Sequence, residues 1–425
     1  MTQHADIAVL GGGMVGAALA LGAARMGYEV VLIDAAPAPV HRPVARSVQE
    51  ADPRVSALTR ASDYLLRALE VWPAMQPHAV PYRHMHVWEG EAPDQGAIHF
   101  DAADVMQPDL GHILENSRVR EALWSALSLC PNVDLRANCR VQAMTVADGG
   151  VTLTLDEQTL QAGFLVGADG ARSWVRQTLN WPMDTRDYPH HALVANVRME
   201  QAHRETAWQR FLPSGPLALL PLGQGDRANW VSIVWSAWPD TVERLMAQSD
   251  DTFLASLTEA SQGVLGGALE AGPRQAFPLT WRHVRRYASG PVLLVGDAAH
   301  TIHPLAGQGV NLGFRDVIAA LDVLANARAL GLPLHEPRLW ATYSRARRKD
   351  VTEVAAAMRF FSEVYGAQIP GLMPLRRLGV GLVHRFMPLK REVMCRALGV
   401  PESGAQSPAI SNTACRSRWA APSPL

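Results

Sequence analysis

Asp297 closes an apolar run, Val292 to Val295, and leads into a turn that contains Pro304, Gly307, Gln308, Gly309 and Val310 before a helical pattern begins near Asn311. A carboxylate at a strand end can accept hydrogen bonds from the hydroxyls of a sugar chain. Glycines at a helix start expose backbone N–H groups where a negatively charged ring needs stabilising. Pro304 adds an apolar surface without a donor. Far away in the chain, Gly11, Gly13 and Gly16 fill the three positions of GxGxxG, with Met14 and Val15 at the start of the helix that follows. There the missing side chains allow a tight turn, close approach of a pyrophosphate and packing of helix on strand, while the helix N-terminus faces the phosphates. Asp34 lies about 20 residues beyond the glycines, where a carboxylate can accept from ribose hydroxyls. Together these segments describe a dinucleotide gripped from both ends.

The elements that must position these groups are legible around them. Ile7–Leu10 reads as a short strand, residues 14–27 as an alanine-rich helix and Tyr28–Ile33 as a second strand closed by Asp34. A lone GxGxxG says little; strand, glycines, helix, strand and acid in that order say much more. No second GxGxxG follows a strand pattern, so one dinucleotide is resident and any other visits.

The order of motifs resembles the aromatic-hydroxylating flavoprotein monooxygenases of the para-hydroxybenzoate hydroxylase class. The resemblance rests on the N-terminal fingerprint, on Phe164–Ser173 with Asp169 and Gly170 at its centre, and on Gly296–Asn311. Asp52–Leu58, which holds Arg54, and Glu115–Arg120, which holds Arg118, resemble a narrower group, the ubiquinone-biosynthesis hydroxylases. Ile98–Asp104, Asp187–Val194, Leu217–Leu222 and Leu312–Asp316 match that group too, and the resemblance runs from residue 5 to residue 400. It implies a tightly bound FAD, NAD(P)H as a transient co-substrate, O2, and a polyprenylated phenol or quinol as substrate. Other ubiquinone-biosynthesis proteins are expected as partners. Residues 187–194 and 54–57 look closest to the polyprenylphenol hydroxylases that act early on the ring, and the late-acting quinol hydroxylases resemble the chain almost as well.

For the site, the resemblance implies cofactor contacts at Gly11, Gly13, Met14, Val15, Gly16, Asp34, Arg54, Arg118, Asp169, Gly170, Asp297, Pro304, Gly307, Gln308, Gly309, Val310 and Asn311. Asp297 takes the ribityl chain in that assignment. Arg54 and Arg118 also read as ordinary solvated charges, and Asp169 with Arg172 as a strand-end turn. The imidazoles of His300 and His303 invite a proton-transfer role, yet the class uses this turn to pack the flavin. The flavin carries the oxygen chemistry, so the protein must exclude water and orient the ring; no catalytic acid or base is located. Rivals remain on the same scaffold: another phenol hydroxylase, a flavoprotein reductase or halogenase, and a non-catalytic flavoprotein subunit of a quinone-synthesis assembly. The WxWxIP-type signature of halogenases is absent.

The implied fold is α/β, a Rossmann-like FAD-binding domain of the glutathione-reductase type assembled from residues 1–80, 101–182 and 276–345. A β-sheet substrate domain is inserted from 81–100 and 183–275, where strand patterns and four tryptophans (208, 230, 235, 238) read as sheet packing. His84 and His86 share a strand face, as metal ligands can, but no third ligand is evident in the sequence and no metal is assigned. Helices follow over 346–400, where Leu375, Leu378, Leu382, Phe386 and Leu389 form a stripe that either packs internally or meets a membrane. Residues 401–425 read as a disordered tail.

With 425 residues, 48% hydrophobic and 19% charged, the chain can bury a large core. A net charge of -1 gives no field to attract nucleic acid. Four cysteines without CxxC spacing suit reduced thiols. No basic stretch precedes the first apolar run, so a cytoplasmic protein is expected, with the surface of the inner membrane as its place of contact.

Overall fold

The computed structural model describes residues 2–90, 93, 97–156, 158–302 and 309–366, with 391, 392, 394, 395, 398 and 399. Pro304, Gly307, Gln308, His303, the 375–389 stripe and the 401–425 tail lie outside the described residues.

Strand Thr2–Leu10 lies between Val30–Ile33 and Gln158–Gly167 and runs parallel to both. Val133–Arg136 extends the sheet beyond Val30–Ile33, and Val292–Leu294 extends it beyond Gln158–Gly167, again in parallel. Parallel strands with both faces covered read as continuous apolar runs, and Ile7, Ala8 and Val9 are fully buried. A hairpin, Val141–Ala147 and Gly150–Leu155, and the short Ala288–Ser289 complete eight strands. Helices Met14–Arg25 and Gly309–Leu330 pack closely: a Cβ on Gly22 would lie 2.5 Å from a Leu321 methyl. A small antiparallel sheet, Val55–Thr59 with Gly111–Glu115 and Val80–Tyr82, carries Arg54 at its edge.

The second large sheet has nine strands. Its order is His300–Thr301, Gln275–Val284, Met183–Met199, Trp230–Ala237, Gly215–Pro221, Thr206–Leu212, His84–Glu89 and Ile98–Asp101, with Ala268–Ala271 also on Met183–Met199. Side chains alternate across it with the period of two that strands impose. Leu193, Ala195, Val197, Ile233 and Trp235 face helices Pro239–Ala247 and Asp250–Ala260, whose Val242, Leu245, Phe253 and Leu257 complete a core. The opposite face presents Val194, Ser232 and Val234 to a cleft shared with the first sheet. Among the described residues, no helix is long and apolar enough to cross a membrane.

Candidate cofactor and active site

The chain leaves its central strand at Gly11, where φ is +104° and a Cβ would lie 2.3 Å from the Ala168 carbonyl oxygen. At Gly16 a Cβ would meet the Gly11 carbonyl oxygen at 2.0 Å. These two positions are closed by the protein itself. Gly13 is different, because nothing lies within 4 Å of where its Cβ would stand. It is also the N-cap of helix Met14–Arg25, which has no side-chain cap and no acidic residue in its first turn. The first N–H groups of that helix therefore face an open position suited to an anion.

Asp34 holds this loop in place. One carboxylate oxygen accepts from the Gly12 N–H at 2.9 Å and from Arg120 at 3.3 Å, and the other accepts from the Ala36 N–H at 2.8 Å. A carboxylate offers about four acceptor sites, so capacity remains for a ribose hydroxyl. Arg120 Nε and Trp124 Nε1 both donate to the Gly12 carbonyl, at 2.9 and 2.7 Å, and the guanidinium lies over the indole.

Val15 joins the two distant halves of the site. A Cβ on Gly296 would meet its methyls at 3.2 Å, and one on Gly313 at 2.5 Å, so the first turn of one helix, the turn bearing Asp297 and the start of the Gly309 helix meet around one side chain. A cleft of about 440 Å³ opens beside them, lined by Gly13, Met14, Val15, Arg54, Gly170, Asp297, Gly309 and Val310 from one side and by Val194, Ser232, Phe277 and Thr280 from the nine-stranded sheet.

Within the cleft, Asp297 has an accessible carboxylate and no hydrogen-bond partner among the described residues. Its surroundings are nevertheless dense enough that desolvation raises its pKa, opposed by His300, Arg54 and Arg282. Asp169 accepts from the Val175 N–H at 3.1 Å with one oxygen, while the other is buried without a partner among the described residues, next to the cleft-lining Ala168 and Gly170. An open helix N-terminus, two underused carboxylates and the cations Arg54 and Arg282 fit a ligand with a diphosphate, a polyol and a planar ring.

Two residues of the expected set turn their side chains into the protein. Arg118 is buried and donates to the carbonyls of Arg42 and Pro43, with Glu115 at 3.4 Å, so its guanidinium is spent on the loop after the second strand. Asn311 uses its side chain inside the protein, donating to the Ala57 carbonyl at 2.7 Å and accepting from the Thr59 N–H and the Ser62 hydroxyl. None of the tryptophans 208, 230, 235 and 238 lines the cleft.

Sequence reasoning passed over several residues that organise the site. Arg120 stands two positions after Arg118 in the same motif, and Trp124 one helical turn further, yet nothing in their spacing says that they reach Gly12. Arg176 donates to the carbonyls of Ala298 and Ala171, at 2.8 and 2.9 Å, and so ties the Asp169 turn to the Asp297 turn. Asp316 is fully buried and accepts from the Gly296 N–H at 2.8 Å, His300 at 2.7 Å and Arg347 at 2.6 Å. Burial alone would push the Asp316 carboxyl up; His300 and Arg347 reverse this and hold it below its ordinary value. His300 is thus a brace behind the Asp297 turn. His283, beside it, is pushed down to about 4, by burial first and then by His300 and Arg348.

Residues 4–357 match the family described as FAD binding domain, and the chain belongs to that family. It is an FAD-dependent monooxygenase of the ubiquinone-biosynthesis hydroxylase group. It is 39% identical to the 3-demethoxyubiquinol 3-hydroxylase of Escherichia coli over 94% of this chain and 99% of that one. It is 36% identical to ubiquinone hydroxylase UbiL of Rhodospirillum rubrum over 96% and 92%. The fold recurs in p-nitrophenol 4-monooxygenase of Pseudomonas putida, with a TM-score of 0.74, 21% identity and coverage of 94% and 99%. It recurs equally in the Diels-Alderase PyrE3, with a TM-score of 0.71, 20% identity and coverage of 93% and 80%. The architecture therefore accommodates unlike reactions, and the chemistry must be argued from the site and the sequence relatives.

Proposed function

We propose that the protein hydroxylates the ring of a polyprenylated quinol, with NAD(P)H and O2 as co-substrates, in the cytoplasm at the face of the inner membrane. The observation that carries the reading is the 39% identity, over nearly all of both chains, with a relative named for a demethoxyubiquinol. This favours the late quinol over the early polyprenylphenol, which stays the second reading on the strength of residues 54–57 and 187–194. Bound FAD supplies the transfer of electrons from the nicotinamide to O2 and the delivery of one oxygen atom to the ring, the other leaving as water.

The chain's own residues bind and orient. Gly11 and Gly16 shape the turn, and Gly13, Met14 and Val15 take the diphosphate on the bare helix end. Asp34 takes the adenosine ribose, and Asp169 with Gly170 takes the diphosphate side. Asp297 takes the ribityl chain, and Gly309, Val310 and the Asn311 backbone face the ring. Arg54 lines the cleft, and Arg118 holds the loop at residues 42–43. The nine-stranded sheet supplies an apolar wall, Val194, Val234, Phe277 and Leu279, that excludes water from the ring. In this reading the cofactor domain comprises 1–80, 101–182 and 276–345 and the substrate domain 81–100 and 183–275, with Gln275–Val284 at the seam.

The test is NAD(P)H oxidation by the purified yellow protein under 18O2, with and without a short-chain demethoxyquinol. Faster oxidation with one 18O in the quinol is expected. Label in a polyprenylphenol but not in the quinol overturns the substrate, and a protein that stays colourless with added FAD overturns the whole reading.

A further inference from the structure

Away from the cleft, the edge of the nine-stranded sheet gathers three metal-ligating side chains from two strands. In the antiparallel pair His84–Glu89 and Ile98–Asp101, His84 stands directly opposite Asp101 and His86 directly opposite His99. Alternation places all four on one face, while Met85 and Phe100 point to the other and pack with Ala57, Tyr82 and Ile113. The His84 and His99 rings stack, with centroids 5.5 Å apart. One ligand atom each from His84, His99 and Asp101 lies within 4.8 Å of the others.

Two details make this more than a crowded edge. His84 Nδ1 is buried and makes no hydrogen bond among the described residues, although Asp101 Oδ2 is only 3.3 Å away. Ligand atoms around a tetrahedral ion with bonds of about 2.0–2.1 Å stand about 3.3–3.4 Å apart, so this spacing suits a shared ion. The other Asp101 oxygen accepts from the Ala103 N–H at 2.8 Å, which fixes the carboxylate with Oδ2 turned towards His84. His86 is occupied elsewhere, with its Nε2 at 2.8 Å from the Pro93 carbonyl oxygen.

We propose that His84, His99 and Asp101 bind one divalent cation of the zinc class on the outer face of this sheet, with water in the fourth position. Two imidazoles and one carboxylate select such a cation over calcium or magnesium, which prefer oxygen ligands throughout. The ion clips the edge strand Ile98–Asp101 to its neighbour and stands on the face opposite the cleft, so its role is to hold the sheet.

The test uses the full-length, FAD-loaded protein free of any histidine tag, equilibrated with Zn2+ and assayed for bound metal by elemental analysis and titration calorimetry. One zinc per chain is expected, undisplaced by excess Mg2+. His99→Gln and Asp101→Asn should each weaken binding by about tenfold or more, and His86→Gln should leave it intact. The flavin spectrum of each variant reports whether it has folded, and His84→Gln replaces either one that has not. Absence of bound zinc in the wild type, displacement by Mg2+, or unchanged affinity in the folded ligand variants overturns the assignment.

Discussion

Asp316→Asn tests whether the buried brace behind the Asp297 turn contributes stability in proportion to its burial. The wild-type carboxylate has three donors, the Gly296 N–H, His300 and Arg347, and no exposure. Asparagine keeps the shape but removes the charge and places an NH2 group against one of these donors. Arg347 is then left buried with only Asp350, at 2.5 Å, to balance it. Removing one partner of a buried pair costs about 3–5 kcal/mol, and the surviving Asp350 contact places the expected loss near the lower figure, about a hundredfold in the folding equilibrium. Guanidinium unfolding at pH 7, followed by circular dichroism, measures it. Because Asp316 is held below its ordinary value, its contribution is complete above pH 3.8 and is lost as pH falls through the lower folded value, so the gap between variant and wild type narrows only in that acid range. A deficit below about 1 kcal/mol at pH 7, the size expected of a surface pair, would refute the reasoning. The exposed pair Arg285–Asp184 is the control, and Asp184→Asn should leave the unfolding midpoint unmoved.

The glycine loop gives a contrast between two methyl groups. Gly13→Ala has room within the protein and should keep its thermal midpoint without FAD while binding FAD at least about tenfold more weakly; Gly16→Ala drives a methyl into the Gly11 carbonyl and should lower both, so equal behaviour of the two would contradict the assigned open face. Arg54→Ala should slow substrate-stimulated NAD(P)H oxidation with little change in unfolding, whereas Arg118→Ala should lower the unfolding midpoint first, because its guanidinium holds the carbonyls at residues 42 and 43. Swapped phenotypes would reverse the two assignments. His283 is kept neutral in the folded protein down to about pH 4, so between the ordinary histidine value of 6.5 and about 4 the unfolded chain takes up the extra proton and stability is lost as the pH falls. His283→Gln should flatten that slope in unfolding midpoints, and an unchanged slope would show that His283 is not its source.

The cofactor grip was legible because its parts are local. Strand, glycines, helix and acid occupy one short stretch, and Asp297 terminates an unmistakable apolar run. The fold class followed from the same patterns and from motif order. Less was visible where a role depends on a partner distant in sequence. Arg118 and Arg120 are near neighbours in one motif, yet a shift of two positions along a helix turns one towards Arg42 and Pro43 and the other towards Gly12 and Asp34. The place of Asn311 at a helix start points to its backbone, and nothing local tells that its side chain pins Ala57, Thr59 and Ser62. His84 and His86 share a strand face in the sequence pattern; the register that sets Asp101 and His99 opposite them is a tertiary fact.

The seating of Val292–Leu294 beside Gln158–Gly167, and of the Tyr28 hydroxyl on the Leu324 carbonyl at 2.9 Å, has a consequence for biosynthesis. At about 5–20 residues per second, roughly 15–65 s separate the synthesis of strand Thr2–Leu10 from that of Leu324, and throughout that time the first strand and its glycine loop have no partner for the far end of the cofactor. The nascent chain can carry half a nucleotide site but cannot close it. Commitment to the holoprotein waits until Val292–Leu294 and the helix Gly309–Leu330 have been made, and a shortage of free flavin at that point would leave the chain exposed to quality control.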